Sequence, residues 1–401
     1  MPDDPATRTR ARLDALCLVH PDRHVGGPGV AAANDLFARE AEAAGFSVER
    51  IPFDCVDWEW SGASLQAGDL TLELHVGPYS PPFSGDAGLV AVDSVEALEA
   101  LEAPGAILLL HGEIAAEQLT PRHYPFYRME GHQRLLDALD AAAPAAVVAA
   151  TDRTPMAAAL CPFPLFEDAD LGHPSAYTGV AEGEALLAHA GETVSLRIDS
   201  RQVVARSEQV VARLGGAGPG RVVVSAHIDS RHGTPGALDN ATGVCVLLAL
   251  ADLLAGTVPP VTVELVPFNG EDNFAAYGEM VYLASQGEDG LGDIALAVNI
   301  DAAARTGDDT AISFYGVPED LRARVLSAVS RAEHVVEGPE WPMSDHMVFA
   351  MRGVPAVAVT STGLMDIAAT VAHTGADLPE LADPALVVDA ARFLAALIEA
   401  M

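Results

Sequence analysis

A chain of 401 residues with a formal charge of −35 and no lysine repels phosphate backbones and anionic lipid surfaces, which argues against nucleic-acid and membrane partners. Its length exceeds what one hydrophobic core usually serves, so a large domain with a smaller companion is expected. The apolar runs near 141–150 and 244–255 are short or broken by Asp252, below the ~20 residues of a membrane helix.

The opening stretch MPDDPATRTRARLDALC mixes acids and arginines where a secretory signal needs a basic start and an apolar block. Cys17, Cys55, Cys161 and Cys245 show no close-pair spacing, which suits free thiols in a reducing compartment. A cytoplasmic location is therefore expected. Apolar spacing predicts helices over 8–17 and 29–45, followed by an alternating strand at FSVERIPF. The glycines of HVGGPG lack both a preceding strand and a following lysine, so they are read as a turn and not a phosphate loop.

From about 58 to 200 the pattern becomes short apolar runs cut by Gly and Pro: LTLELHVG, GLVAVD, GAILLLHGE, AAVVAATD and TVSLRID. This predicts a compact β-rich module with one helix around 130–142. Its histidines, His75, His111, His123, His132, His173 and His189, stand apart from one another and from ligand-type spacing. The expected division is therefore 1–57 as the first part of a catalytic domain, 58–200 as an insert and 201–401 as the rest of that domain.

From 201 onward strands and helices alternate: VVARL, RVVVSA, a helix over 241–255, VTVELVPF, a helix near 274–286, ALAVNI, a helix over 319–332, VPAVAVT and a helix over 384–400. That alternation predicts an α/β fold with a mostly parallel central sheet flanked by helices. Ligands in such folds bind beyond the carboxyl ends of the strands. At those ends stand His227 and Asp229, then Glu271 and Asp272, then Asp301; Asp239 precedes a helix, and His373 follows the last strand. Imidazole nitrogen and carboxylate oxygen are the donors zinc favours, and one bridging carboxylate lets such a set hold two ions. Ser225 lacks the Gly-x-Ser-x-Gly elbow, which speaks against a serine hydrolase.

The segments AHIDS, PGALDNATG, FNGED, VNID, WPMSDHMVF, GVPAVAV and AHTGAD, in this order, resemble the two-zinc aminopeptidases of the MH clan. Glutamate carboxypeptidases and glutaminyl cyclases belong to the same group. The resemblance implies that His227 and Asp301 hold one zinc, that Asp272 and His373 hold the other, and that Asp239 bridges. It implies Glu271 as general acid/base and Asp229 as the acceptor of the His227 ring proton. The 58–200 module resembles the family's protease-associated insert, either a substrate-guiding lid or a passive addition. His346 matches a segment near the substrate pocket, without a ligand role.

One position departs from the family: two glutamates are usual where this chain has Glu271 and then Asp272. Either the backbone moves inward to keep the second zinc, or that site is weakened. The implied activity is removal of N-terminal residues from peptides by metal-activated water. The alternatives are a single-zinc glutaminyl-cyclase-like acyl transfer, a carboxypeptidase gripping its substrate through Arg231 or Arg305, and a receptor-like homologue without activity. The sequence does not specify oligomeric state.

Overall fold

The computed structural model describes residues 4–125, 128–154, 157–287 and 290–401, so the first three residues of the expected 1–57 segment lie outside the described residues. The chain divides into two compact units, Met1–Cys55 with Arg206–Met401, and Val56–Ala205. The unit boundaries fall two residues before and five residues after those expected from composition, inside the long strands Ser47–Ala67 and Thr193–Leu214.

In the first unit, four strands form a parallel core in the order Thr262–Phe268, Arg221–His227, Ile294–Ile300 and Ala356–Ser361. The outer strands are of mixed direction. Ala212–Leu214 runs antiparallel to the strand Thr262–Phe268, Thr310–Tyr315 runs antiparallel to Ala356–Ser361, and Val335–Glu337 closes that edge in parallel. Every residue of Arg221–His227 and Ala356–Ser361 is buried, as expected of strands covered on both faces.

The apolar segment Ala237–Leu254 is long and hydrophobic enough to match a membrane span by composition, but 83% of it is buried inside the protein. It contains the core helix Thr242–Leu254, which packs against helices Pro5–Cys17 and Pro384–Glu399 and the strand Arg221–His227. Val244, Val246, Leu247, Leu248 and Leu250 are fully buried there, and the uniformly apolar helix follows from contact all round. Gly243 is required by a close approach, because a Cβ would sit 2.4 Å from Asn240 Oδ1 and 2.9 Å from Ala226 Cβ. Helices Tyr277–Ser285 and His346–Ala350 meet at an aromatic cluster in which the Phe268 ring lies 5.3 Å from Tyr282 and 6.2 Å from Phe349.

The strands Thr310–Tyr315 and Val335–Glu337 and the short helices His346–Ala350 and Leu364–Thr370 go beyond the sequence-based expectation. Each helix is two turns or fewer, too short for helical periodicity to show.

The second unit holds the strands Leu70–Val76, Ser175–Gly179, Ala146–Thr151, Ile107–Leu110 and Phe83–Val92 in that spatial order. The last four pair in parallel, while Leu70–Val76 pairs antiparallel with Ser175–Gly179. The expected helix is present as Glu130–Ala142, and Leu135, Leu139 and Phe163 join its strands in one apolar core. Two helices were not expected, Val95–Glu99 and Val180–Leu187. The second contains Gly183, which lowers its helical propensity but allows contact with the sheet, since a Cβ there would lie 2.3 Å from Ala150 Cβ.

Candidate metal centre

His227 is the last residue of its strand, Asp301 follows Ile300 directly, and Glu271 and Asp272 follow Phe268 across a short turn. Three neighbouring parallel strands thus deliver these groups to one edge of the sheet. Asp239 comes from the irregular turn Ala237–Ala241, and His373, at φ 63°, follows the helix Leu364–Thr370.

The five expected ligands converge. His227 Nε2 lies 3.0 Å from Asp239 Oδ1 and 3.5 Å from Asp301 Oδ1. His373 Nε2 lies 3.3 Å from Asp239 Oδ2 and 3.1 Å from Asp272 Oδ1. Donors held ~2.0–2.1 Å from a tetrahedral zinc stand ~3.3 Å from one another, so these spacings suit ligands of a common ion. His227 Nε2 and Asp272 Oδ2 are buried and lack hydrogen-bond partners among the described residues. Orphaned buried donors of this kind are costly unless something binds them, and a divalent cation satisfies them. The donor set therefore fits zinc, and Asp239 faces both imidazoles with separate oxygens.

The electrostatics agree with the packing. Burial opposes a charge on His227, but Asp301, Asp229 and Asp239 outweigh it and hold the pKa well above the ordinary imidazole value. Burial likewise opposes charge on His373, yet Asp272 and Asp239 raise it to about 10. Asp239 is held far below the usual carboxylate range by His227 and His373 despite burial. Glu271 moves the other way: burial, reinforced by Asp272, Asp301 and Asp239 and opposed by His227, raises it well above an ordinary glutamate. Asp301 is raised by burial in the same manner.

The Asp229 contact differs from expectation. Its carboxylate stands 3.6 Å from His227 Nδ1, too far for a hydrogen bond, and the backbone carbonyl of Asp229 is the nearer acceptor at 3.2 Å. The carboxylate instead accepts the backbone N–H groups of Gly270 at 2.9 Å and Asp272 at 3.1 Å. The physical reason is the tight turn after Phe268, whose buried amides need an acceptor and find it in Asp229.

His346 is buried and donates from Nε2 to the Trp341 carbonyl at 2.8 Å, between the rings of Tyr315 and Trp341. Burial lowers its pKa to about 4, so it is a neutral packing residue. Arg305 pairs with Asp366 at 2.5 Å, while Arg231 Nε lies 3.1 Å from Asp272 Oδ1.

Several supporting residues had no visible signal of their own. Asp377, buried in the AHTGAD run, accepts the backbone N–H groups of Leu238 at 2.8 Å and Asp239 at 3.0 Å. Asn240 donates to the Ile300 carbonyl at 2.7 Å and accepts from Gly243 N at 3.0 Å, joining the Asp239 turn to the strand that ends at Asp301. Ser225, Asn299 and Ser344 form a buried chain, each link 2.8 Å, and Ser344 reaches Asp301. For Asn240 and Asn299, proximity to the ligands Asp239 and Asp301 in the motifs LDN and VNID was the available clue.

A parallel sheet carrying imidazoles and carboxylates beyond its carboxyl edge defines an α/β fold with a candidate metal centre. Residues 209–398 match the model of peptidase family M28. The chain is 25% identical over 292 residues to a protein of Mycobacterium tuberculosis described as a probable lipoprotein aminopeptidase, LpqL. That match covers 70% of this chain and 55% of the relative, so the chain spans about half the length of the curated relative it matches. The fold is similar to that of an aminopeptidase from Aneurinibacillus sp. strain AM-1, with TM-score 0.77, 20% identity and coverage of 98% and 93% of the two chains. It is also similar to BSAP, a zinc aminopeptidase from Bacillus subtilis, with TM-score 0.74, 18% identity and coverage of 98% and 94%.

Proposed function

We propose that this chain is a metal-dependent aminopeptidase that releases N-terminal residues from peptides. The observation that carries the proposal is Asp239, whose two oxygens face His227 and His373 at 3.0 and 3.3 Å. His227 and Asp301 would hold one zinc, His373 and Asp272 the other, and Asp239 would bridge. Bound zinc supplies a water acidic enough to attack an amide at neutral pH and an electrophile for the developing oxyanion.

The chain's own residues do the rest. Glu271 stands within electrostatic reach of His227, Asp239, Asp272 and Asp301, which places its carboxylate among the ligands to carry a proton between attack and leaving-group departure. Glu271 therefore receives the proton of the attacking water and returns it to the departing amine. Asp229 fixes the turn that carries Glu271 by accepting the amides on either side of it. Burial of the site keeps bulk water from competing for these groups.

A cytoplasmic setting belongs to the same proposal, supported by four free cysteines, three of them buried. So does the view of Val56–Ala205 as a protease-associated-type insert, supported by the succession of strand Ile107–Leu110, helix Glu130–Ala142 and strand Ala146–Thr151. The deciding experiment assays aminoacyl-amide and glutaminyl-peptide substrates before and after chelation, with metal analysis of the same samples. Chelator-sensitive release of N-terminal residues, restored by zinc, supports the proposal; cyclisation of glutaminyl peptides in its place, or no bound metal, overturns it.

A further inference from the structure

The ligand set has a permanent cation pressed against one member. Arg231 donates through Nε to Asp272 Oδ1 at 3.1 Å, the same oxygen that lies 3.1 Å from His373 Nε2. The Asp272 side chain is only 2% exposed, and its second oxygen has no hydrogen-bond partner among the described residues. A guanidinium cannot lose its charge in this range of pH, so the oxygen offered to an ion is shared with a fixed positive charge.

The backbone of Arg231 is held in place from both sides. Ser230 Oγ accepts the Arg23 N–H at 2.9 Å and donates to the Thr234 carbonyl at 3.0 Å. Gly233 N–H donates to Asp22 Oδ2 at 2.7 Å, and Thr234 Oγ1 donates to the Thr374 carbonyl at 2.9 Å, next to His373. The loop therefore presents Arg231 from a pinned frame, which makes the contact with Asp272 part of the fold.

Two effects of Arg231 on an ion at Asp272 oppose each other. Orienting the carboxylate strengthens binding, while a positive charge one oxygen away weakens it. Asp272 is already oriented by its backbone, since its N–H is fixed to Asp229 at 3.1 Å, so little orientation is left for Arg231 to supply. Charge then decides the sign. The carboxylates Asp239, Asp272 and Asp301 carry three negative charges, and one guanidinium reduces the sum to the two that a single divalent cation balances.

We propose that Arg231 is a positioning residue that makes the Asp272–His373 position the weaker of the two ion positions, so that one ion is tightly held and the other exchanges with the free metal pool. This rests on the two-ion reading of the site. Its consequence is an enzyme whose second ion follows available zinc.

The test compares the full-length wild type with Arg231→Gln and Arg231→Lys. Each protein is stripped with chelator and titrated with zinc against a competing chromogenic chelator, which reads stoichiometry and both dissociation constants. Cobalt absorption spectra follow the same titration, and circular dichroism confirms the fold. The expected result is that Arg231→Gln tightens the second ion by about tenfold, the scale on which outer ligand contacts act, while the first ion changes little. Arg231→Lys retains the charge and the weak second ion. An unchanged or weakened second ion in Arg231→Gln overturns the role of Arg231 while leaving the two-ion reading intact. A wild type that binds no ion overturns the two-ion reading itself.

Discussion

Asp239 divides its carboxylate between two imidazoles, with Oδ1 3.0 Å from His227 Nε2 and Oδ2 3.3 Å from His373 Nε2. The imidazoles come from residues 146 positions apart in the chain, and the carboxylate lies on a turn belonging to neither of their segments. Backbone amides at Leu238 and Asp239, tied to Asp377, hold that turn in place.

The first prediction concerns this carboxylate. Asp239→Asn replaces one oxygen with an amide that cannot serve as an anionic ligand, so both ions should bind more weakly and hydrolysis should fall to background. Metal content measured by mass spectrometry after gel filtration provides the check. Retention of two ions per chain would show that Asp239 does not bridge.

Glu271→Gln should keep the metal content and the circular dichroism of the wild type while turnover drops by about 10²–10⁴-fold, the usual contribution of a general acid/base. The ligands are untouched and only the proton carrier is lost. Steady-state kinetics on an aminoacyl amide decide the matter, and a turnover within a few-fold of wild type would reassign Glu271.

For Asp229→Ala, the loss falls on geometry. The amides of Gly270 and Asp272 lose their acceptor, so the turn bearing Glu271 and Asp272 loosens. Zinc affinity should fall by about 10–100-fold, as for other outer contacts of metal sites. Competition with a chromogenic chelator measures this, and an unchanged affinity would mean that the turn holds itself.

A fourth prediction concerns pH and stability. Glu279 is buried, and burial together with Asp229 raises its pKa from 4.5 to about 8, with Asp345 close by and likewise raised. The folded chain thus binds more protons than the unfolded chain between about pH 4.5 and 8. The contribution is fully present below pH 4.5 and is lost as pH rises through 8, so stability should decline across that window. Glu279→Gln removes the titrating group and should flatten the decline, raising the melting temperature at pH 8 relative to wild type. Thermal unfolding of metal-free protein at pH 5, 6.5 and 8 tests this, and parallel curves for the two proteins would contradict it.

Much of the site was legible because its ligands sit where the sequence changes character. RVVVSA gives way to His227, ALAVNI to Asp301 and VTVELVPF to the Glu271–Asp272 turn, and each transition marks the carboxyl end of a buried strand. The alternation of helix and strand after residue 201 likewise revealed the parallel sheet, because burial on both faces demands uninterrupted apolar runs.

Other features depend on distance through space, which one-dimensional periodicity does not carry. The strand Thr310–Tyr315 joins the sheet antiparallel to Ala356–Ser361, a pairing decided by where the chain returns and not by its apolar pattern. Asp229 was visible as a residue beside His227, but only the folded turn shows that it serves the amides of Gly270 and Asp272. In the sequence Arg231 is an unplaced candidate for gripping a substrate carboxylate, and only the folded loop sets it against Asp272. By itself the sequence determined which side chains stand at the strand ends, since local patterning fixes where strands stop. Only the tertiary structure decided which of them share an oxygen or an amide, since those contacts depend on the register of strands and loops far apart along the chain.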